Sequence, residues 1–355
     1  MSDLSIDVSQ HTCRPDVTIR KILTRIGLAP HLFQIVIATD GTMLGTVTDG
    51  DVRRAILMEI SLDASVTECM QKDPVIGQLG GDEENLRKLR NLGSSRPFLP
   101  ILDHDGKLVD ILVQKETKDT NISTAVIMAG GAGRRLGART KDTPKPMLPI
   151  GGDPILEHVL RQLESANIKN IYISVHYLAD QIHNFIKNRK NRSTIKLMTE
   201  DEPRGTAGAL SQLEMMNDGP ILVVNGDVIT KVDFVQLHDF HFRHGYDGTI
   251  GIAQHDIEIP YGVVGVGDDG LFAGIKEKPK VRNFIAAGLY FLAPEFINLI
   301  PKDQYMDMPE LLNLGQSLGF KIGLFPIHEY WIDVGSPKDL EIAEADLTTS
   351  RKHEN

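Results

Sequence analysis

Two hydrophobic periods alternate along this chain, and their order predicts its organisation. Ile19, Ile22, Leu23 and Ile26 share one helical face, and so do Leu86, Leu89 and Leu92. After each of these stretches come two short apolar runs separated by Asp-Gly. Ile35-Val36-Ile37 and Met43-Leu44-Gly45-Thr46-Val47 flank Asp40-Gly41, while Leu99-Pro100-Ile101-Leu102 and Leu108-Val109-Asp110-Ile111 flank Asp105-Gly106. Such a run signals a hairpin, because the turn needs a positive φ that Gly adopts at little cost. Helix then hairpin, twice over, is an internal repeat. Asp49 to Leu57 reads as a further helix start. Lys115 to Asn121 is polar and without apolar period, a linker. Domains are therefore expected at 1–118 and 119–355.

Beyond the linker the rhythm changes. Ala125 to Met128 is a buried strand that runs into a glycine-rich loop. Ile155, Leu156, Val159, Leu160 and Leu163 recur at helical spacing. Ile171, Ile173 and Val175 alternate with polar neighbours. Leu178 to Lys187 and Thr206 to Met216 read as helices, Ile195 to Met198 and Ile221 to Val224 as strands. This βαβα order predicts an α/β domain with a parallel sheet covered on both faces. Tyr261 to Val266 and Leu271 to Lys276 form a hairpin around Asp269-Gly270, so the last third is mixed.

Composition narrows the function. Net charge is −10, which disfavours a nucleic-acid binder. No apolar run approaches the ~20 residues of a membrane helix. Met1 to Leu4 lacks the start of a secretory signal. Cys13 and Cys69 cannot build a disulfide framework, and a reducing cytoplasm is the expectation. Against the acidic background, Arg134, Arg135, Arg139, Lys141 and Lys145 mark a place for an anion.

The chemistry concentrates in Ala129-Gly130-Gly131-Ala132-Gly133-Arg134-Arg135-Leu136-Gly137, followed by Pro144-Lys145-Pro146-Met147. Glycines after a first strand let backbone N–H groups close on phosphate oxygens. The spacing is neither that of a Walker loop nor that of a dinucleotide fingerprint. The pair of motifs resembles the sugar-1-phosphate nucleotidyltransferases, with Arg134 in place of the usual Thr or Ser. The resemblance implies a Rossmann-like domain with a mixed, mostly parallel sheet. It further implies that Arg135 and Lys145 neutralise a nucleoside triphosphate, and that Asp227 and Asp333 hold Mg²⁺. The loop Ala129, Gly130, Gly131, Gly133 and Arg134, with Glu200, Glu202, Pro203, Gly205 and Thr206, would bind the nucleotide. Asn225-Gly226-Asp227 and the T-E-x-x-P-x-G-T-A-G phrase from Thr199 are most similar to guanylyltransferases for mannose, heptose or glucosamine 1-phosphates, so the resemblance implies GTP, with UTP and CTP as alternatives; a carboxylate at Glu200 or Glu202 would suit guanine donors. Thr206 is also placed to cap the helix that follows it. Gly262, Glu277, Lys278 and Gly288 would meet the sugar 1-phosphate.

The first part resembles a tandem CBS module, an α+β pair. Gly45-Thr46-Val47-Thr48-Asp49-Gly50-Asp51 carries its signature, as does Val66-Thr67-Glu68-Cys69-Met70 ahead of the second copy, which lacks the Thr-x-x-Asp phrase. The resemblance implies an adenine nucleotide touched by Thr48 and Asp51. Sensing and a purely structural role both remain open, as does a sensor with an inactive transferase domain. A homo-oligomer is expected.

Overall fold

The computed structural model describes residues 4–28, 31–92, 96–114, 122–213 and 219–353. Two compact units are defined, Met1–Thr120 with His238–His244, and Asn121–Leu237 with Gly245–Asn355. The proposed linker, Lys115 to Asn121, lies outside the described residues.

In the first unit, α1 (Ile19–Leu28) precedes the hairpin β1 (Phe33–Ile37) and β2 (Met43–Thr48), and α2 (Asp49–Leu57) follows. The second copy has α3 (Asp82–Asn91), β3 (Phe98–Leu102) and β4 (Leu108–Val113). Phe33 pairs with Thr48 and Phe98 with Val113, each residue 65 positions after its counterpart. The bulges also correspond, at Val36/Ile37 and Ile101/Leu102. Met43 N–H donates to the Gly106 carbonyl and Leu108 N–H to that of Gly41, a reciprocal exchange between the two turns. The Phe33 and Phe98 rings stack with centroids 3.7 Å apart. These relations are those of a pseudo-twofold pair. A two-residue strand lies parallel to the head of each hairpin, Thr12–Cys13 on β1 and Gly77–Gln78 on β3, and Leu4–Ser5 runs antiparallel to β4.

The second unit is built on seven strands: β5 (Thr124–Met128), β6 (Asn170–Val175), β7 (Thr194–Thr199), β8 (Ile221–Asn225), β10 (Gly248–Glu258), β13 (Lys280–Leu292) and β14 (Ile322–Ile327). Four shorter strands complete the numbering: β9 (Val228–Thr230), the hairpin β11 (Val263–Val266) and β12 (Phe272–Lys276), and β15 (Trp331–Asp333). The sheet order is β7-β6-β5-β8-β13-β10-β14. Only β13 runs against the others, which makes the sheet mixed and largely parallel. The order reverses between β5 and β8, and their carboxyl ends are where an open α/β sheet leaves a crevice.

Helix α4 (Ile155–Ser165) buries Ile155, Leu156, Val159, Leu160 and Leu163, as its period predicts. It also buries Glu157 and Glu164, which grip Arg189 just after α5 (Ala179–Asn188). Arg189 donates to Glu157 Oε2 at 2.6 Å and to both Glu164 oxygens at 2.8 and 2.9 Å. The expected helix from Thr206 is shorter: α6 (Gly205–Gly208) ends in a tighter turn at Ala209–Gln212, and residues 214–216 lie outside the described set. The remaining helices are α7 (Phe234–His244), α8 (Pro294–Asn298), α9 (Met308–Ser317) and α10 (Pro337–His353).

Candidate active site

The loop after β5 lies at the switch point. At Gly133 φ is +61°, and an added Cβ would stand 3.0 Å from the Thr140 side chain and 3.1 Å from that of Lys145. The Thr140 hydroxyl donates to the Gly133 carbonyl at 3.0 Å. This turn draws Lys145 under the loop. Gly131 faces open space, and Arg134 and Arg135 are exposed at the loop's end.

Lys145 is only 7% exposed. Its ammonium donates to Asp227 Oδ2 and stands 3.6 Å from Asp333 Oδ1. The two aspartates meet because β9 pairs with β15, with Val228 opposite Asp333, and because Val334 N–H donates to the Asp227 carbonyl at 3.0 Å. Burial, with the Asp227 charge second, raises the Asp333 carboxyl above its ordinary pKa, while Lys145 and Arg135 oppose the rise. Arg135 lies over the loop after β15, where a Cβ on Gly335 would be 3.4 Å from its guanidinium. Four charged groups from three separate regions of the sequence thus share one crevice. Close by, Gly288 (φ +69°) would place a Cβ 2.7 Å from the Asn225 amide, so β13 runs against the strand that delivers Asp227.

A family comparison now has a geometry to meet. Residues 124–350 match the nucleotidyl transferase model. The chain belongs to the nucleotidyl transferase family. It is similar to mannose-1-phosphate guanyltransferases of Emericella nidulans (35% identical, 61% of each chain) and Saccharomyces cerevisiae (34%, covering 60% of this chain and 62% of that one). This chain therefore spans under two thirds of the length of those relatives. Among solved structures it is similar to HddC from Yersinia pseudotuberculosis complexed with GMP-PN, at 28% identity and a TM-score of 0.51, covering 63% of this chain and 99% of that one.

The expected base loop is held largely by bonds from neighbouring segments. Glu200 is buried; Ser174 O–H donates to its Oε1, and Arg204 N–H to its Oε2 at 2.8 Å. A Cβ on Gly130 would come within 3.0 Å of Glu200 Oε1. Glu200 therefore ties the base loop to β6 and leaves no room for a side chain at Gly130, while Glu202 and Pro203 remain exposed. At Gly205 φ is +76°, and a Cβ would meet the Met306 carbonyl at 2.5 Å. Thr206 does not cap its own helix. Its hydroxyl accepts from Met308 N–H at 2.8 Å and donates to Asp307 Oδ1 at 3.1 Å, so it serves the start of α9 instead. The reason is position: Thr206 sits inside the first turn, with its side chain turned to the neighbouring segment.

That segment, 303–308, was not legible as part of the site. Asp303 pairs with Arg204 at 2.8 Å, and the Met306 carbonyl accepts from Ala207 and Gly208. Nothing in its local pattern marks it. Ser174, one of the polar positions that alternate with Ile171, Ile173 and Val175, is fully buried because Glu200 lies over it.

Gly262, Glu277 and Lys278 form a separate group on the β11–β12 hairpin. A Cβ on Gly262 would stand 2.9 Å from Glu277 Oε2, and Lys278 N–H donates to the Tyr261 carbonyl at 3.2 Å. All three are exposed. In the first unit, Thr48 and Asp51 cap α2: Thr48 N–H and O–H both donate to Asp51 Oδ2 at 2.7 Å, and Arg54 donates to Oδ1.

The donor set at Asp227 and Asp333 fits a hard divalent cation. Asp333 Oδ1 is buried without a hydrogen-bond partner, and two carboxylates suffice when phosphate oxygens and water complete the shell. Among the described residues no group of three or more metal-ligating side chains exists. No described helix is long and apolar enough to cross a membrane.

Proposed function

We propose that this chain transfers a guanylyl group from GTP to a sugar 1-phosphate, giving a GDP-sugar and pyrophosphate. The observation that carries the reading is Lys145 seated between Asp227 and Asp333 with Arg135 alongside, at the carboxyl ends of β5 and β8. A sugar phosphate oxygen attacks the α-phosphorus; the bond to the β-bridging oxygen breaks, and pyrophosphate leaves. The attacking phosphate is already anionic, so no general base is required. What the reaction needs is positioning and charge stabilisation. Arg135 and Lys145 supply cations, and the glycine-rich loop supplies backbone N–H donors. Asp227 and Asp333 would hold Mg²⁺, whose contribution when bound is to neutralise triphosphate charge. Gly262, Glu277, Lys278 and Gly288 are assigned to the sugar phosphate.

The choice of GTP rests on the guanyltransferase relatives and on Glu202, an exposed carboxylate able to accept from guanine N1–H and N2–H₂. UTP or CTP in the same site is the second reading. The first unit is proposed as a CBS pair, supported by its pseudo-twofold hairpins. Its adenine nucleotide site would be at Thr48 and Asp51, and binding would have to compete with their mutual cap. We also propose a cytoplasmic setting.

The test is pyrophosphate release with Mg²⁺ across five nucleoside triphosphates and a panel of mannose, glucose, glucosamine, N-acetylglucosamine and heptose 1-phosphates. Release that requires GTP together with one sugar phosphate is expected. Release with UTP or CTP alone overturns the base assignment; silence from folded protein overturns the reaction. Calorimetric titration with AMP, ADP and ATP tests the first unit, with Asp51→Asn expected to abolish any heat.

A further inference from the structure

The strands β7, β6 and β5 end abreast. Ser174 pairs with Met128 on one side, and Val175 with Thr199 on the other. The exchange continues past the strands: Ala129 N–H donates to the Ser174 carbonyl and Glu200 N–H to that of Val175. Carried one step further, this register sets His176 between Gly130 of the glycine-rich loop and Glu200 of the base loop. The side chains agree. A Cβ on Gly130 would stand 3.5 Å from the Cβ of His176, and His176 Nδ1 lies 2.8 Å from the Glu200 carbonyl. A carbonyl only accepts, so Nδ1 carries the proton and Nε2 of the neutral ring keeps a lone pair. Among the described residues Nε2 has no hydrogen-bond partner, and it is not one of the buried unpaired atoms, so it is open to solvent. The residues that follow hold this segment in place. Tyr177 O–H donates to the Lys141 carbonyl and Gln181 Nε2 to that of Asp142, both at 2.7 Å, just past the glycine-rich loop.

We propose that His176 is a specificity-determining residue whose Nε2 accepts a hydrogen bond from the donor edge of guanine. The inference rests on GTP being the nucleotide, as proposed above. Glu200 is 5% exposed, and each of its oxygens already accepts from the protein, one from the Ser174 O–H and one from the Arg204 N–H. His176 supplies at the crevice the acceptor that Glu200 keeps inside. Its ring is fixed by the bond to the Glu200 carbonyl, so little freedom is lost on binding. The chemistry then selects. Guanine N1–H and N2–H₂ donate to a lone pair, whereas the same edge of adenine presents the N1 lone pair and C2–H. A site built to bond a donor rejects the analogue that lacks it.

Two substitutions separate the two ring nitrogens. An Asn amide reaches the position of Nδ1, and a Gln amide that of Nε2. His176→Asn keeps a donor for the Glu200 carbonyl and removes the outward acceptor; His176→Gln keeps that acceptor and removes the tether. In the pyrophosphate-release assay, His176→Asn is expected to raise the KM for GTP roughly tenfold, with kcat nearly unchanged, the scale of one lost discriminating hydrogen bond. Any lead of GTP over ATP narrows with it. His176→Gln is expected to stay within about threefold of the wild-type KM. An unchanged KM in folded His176→Asn, or a larger rise in His176→Gln than in His176→Asn, overturns the proposal. A protection experiment on the wild-type chain decides without a variant and without turnover. Diethyl pyrocarbonate acylates a free imidazole nitrogen, and peptide mass spectrometry reads the modification at His176. GTP is expected to protect His176 severalfold better than tripolyphosphate or ATP. Equal protection by tripolyphosphate would set the phosphates beside the ring, and no protection by GTP would set the base elsewhere; either result overturns the proposal. Protection needs no sugar 1-phosphate. Silence in the transfer assay with selective GTP protection intact therefore refutes the reaction and supports the base contact.

Discussion

At Gly205 a methyl group would strike the Met306 carbonyl at 2.5 Å; at Gly274, in β12, it would meet nothing within 4 Å. The contrast holds across the two sides of the candidate site. On the nucleotide side the chain closes on itself: Gly130 against Glu200, Gly133 against Lys145, Gly226 against Met128. These contacts fix the loops before any ligand arrives, which is the preorganisation that charge stabilisation requires. On the proposed sugar side, Gly262, Glu277 and Lys278 stand on an arm whose residues 254–286 are all at least partly exposed.

The largest expected effect lies where the two sides meet. Asp227→Asn should reduce kcat roughly 10²–10³-fold, the scale of losing a preorganised electrostatic group. Thermal unfolding should barely move, because Asp227 is partly exposed and its backbone bonds remain; wild-type turnover would remove the metal assignment. Next, Gly205→Ala should destabilise by about 2–4 kcal/mol, through both a positive φ and a backbone clash. Gly274→Ala, at φ +110° in open space, should cost only about 1–2 kcal/mol of backbone strain. Equal losses in urea unfolding would break the comparison.

Behind the nucleotide side, Glu164→Gln should cost about 1–3 kcal/mol by leaving Arg189 half-paired. Burial works to raise the Glu164 carboxyl, but hydrogen bonds from Arg189 and the Arg192 N–H outweigh it, and the net pKa lies below the ordinary 4.5. A lowered folded-state pKa gives stability that is present above 4.5 and lost as pH falls through the folded value. The gap between wild type and Glu164→Gln should therefore narrow in acid; a gap independent of pH would refute the pairing. The smallest effect is expected at Gly131→Ala. Its Cβ meets nothing, so stability should hold while the KM for the triphosphate rises about fivefold, near 1 kcal/mol.

What could be read from the chain follows from range. The glycine-rich loop, Lys145 and both aspartates were legible because motif spacing encodes them, and the hairpins because Asp-Gly punctuates them. The Asp227–Asp333 meeting was reached through family likeness, since a pairing across about a hundred residues leaves no local period. Thr206 was given the wrong helix for the same reason: a Thr before a helical run caps it on local rules, and only the fold brings Met308 to its hydroxyl. Glu200 and Glu202 are near neighbours in one acidic run. The sequence cannot say which is buried, and Ser174, 26 residues away, is what separates them.

The strand Leu4–Ser5 belongs to the second repeat's sheet although it precedes the first repeat, with Leu4 opposite Val113. During synthesis the earlier strand emerges 109 residues ahead of its partner, so at translation rates of ~5–20 residues per second it waits roughly 5–20 s. The first repeat can form its own hairpin in that interval, but the second cannot acquire its outer strand until both repeats have been made. The order of manufacture thus makes completion of the pair an event of the whole unit, and a tag fused ahead of Leu4 would sit at the seam that closes last.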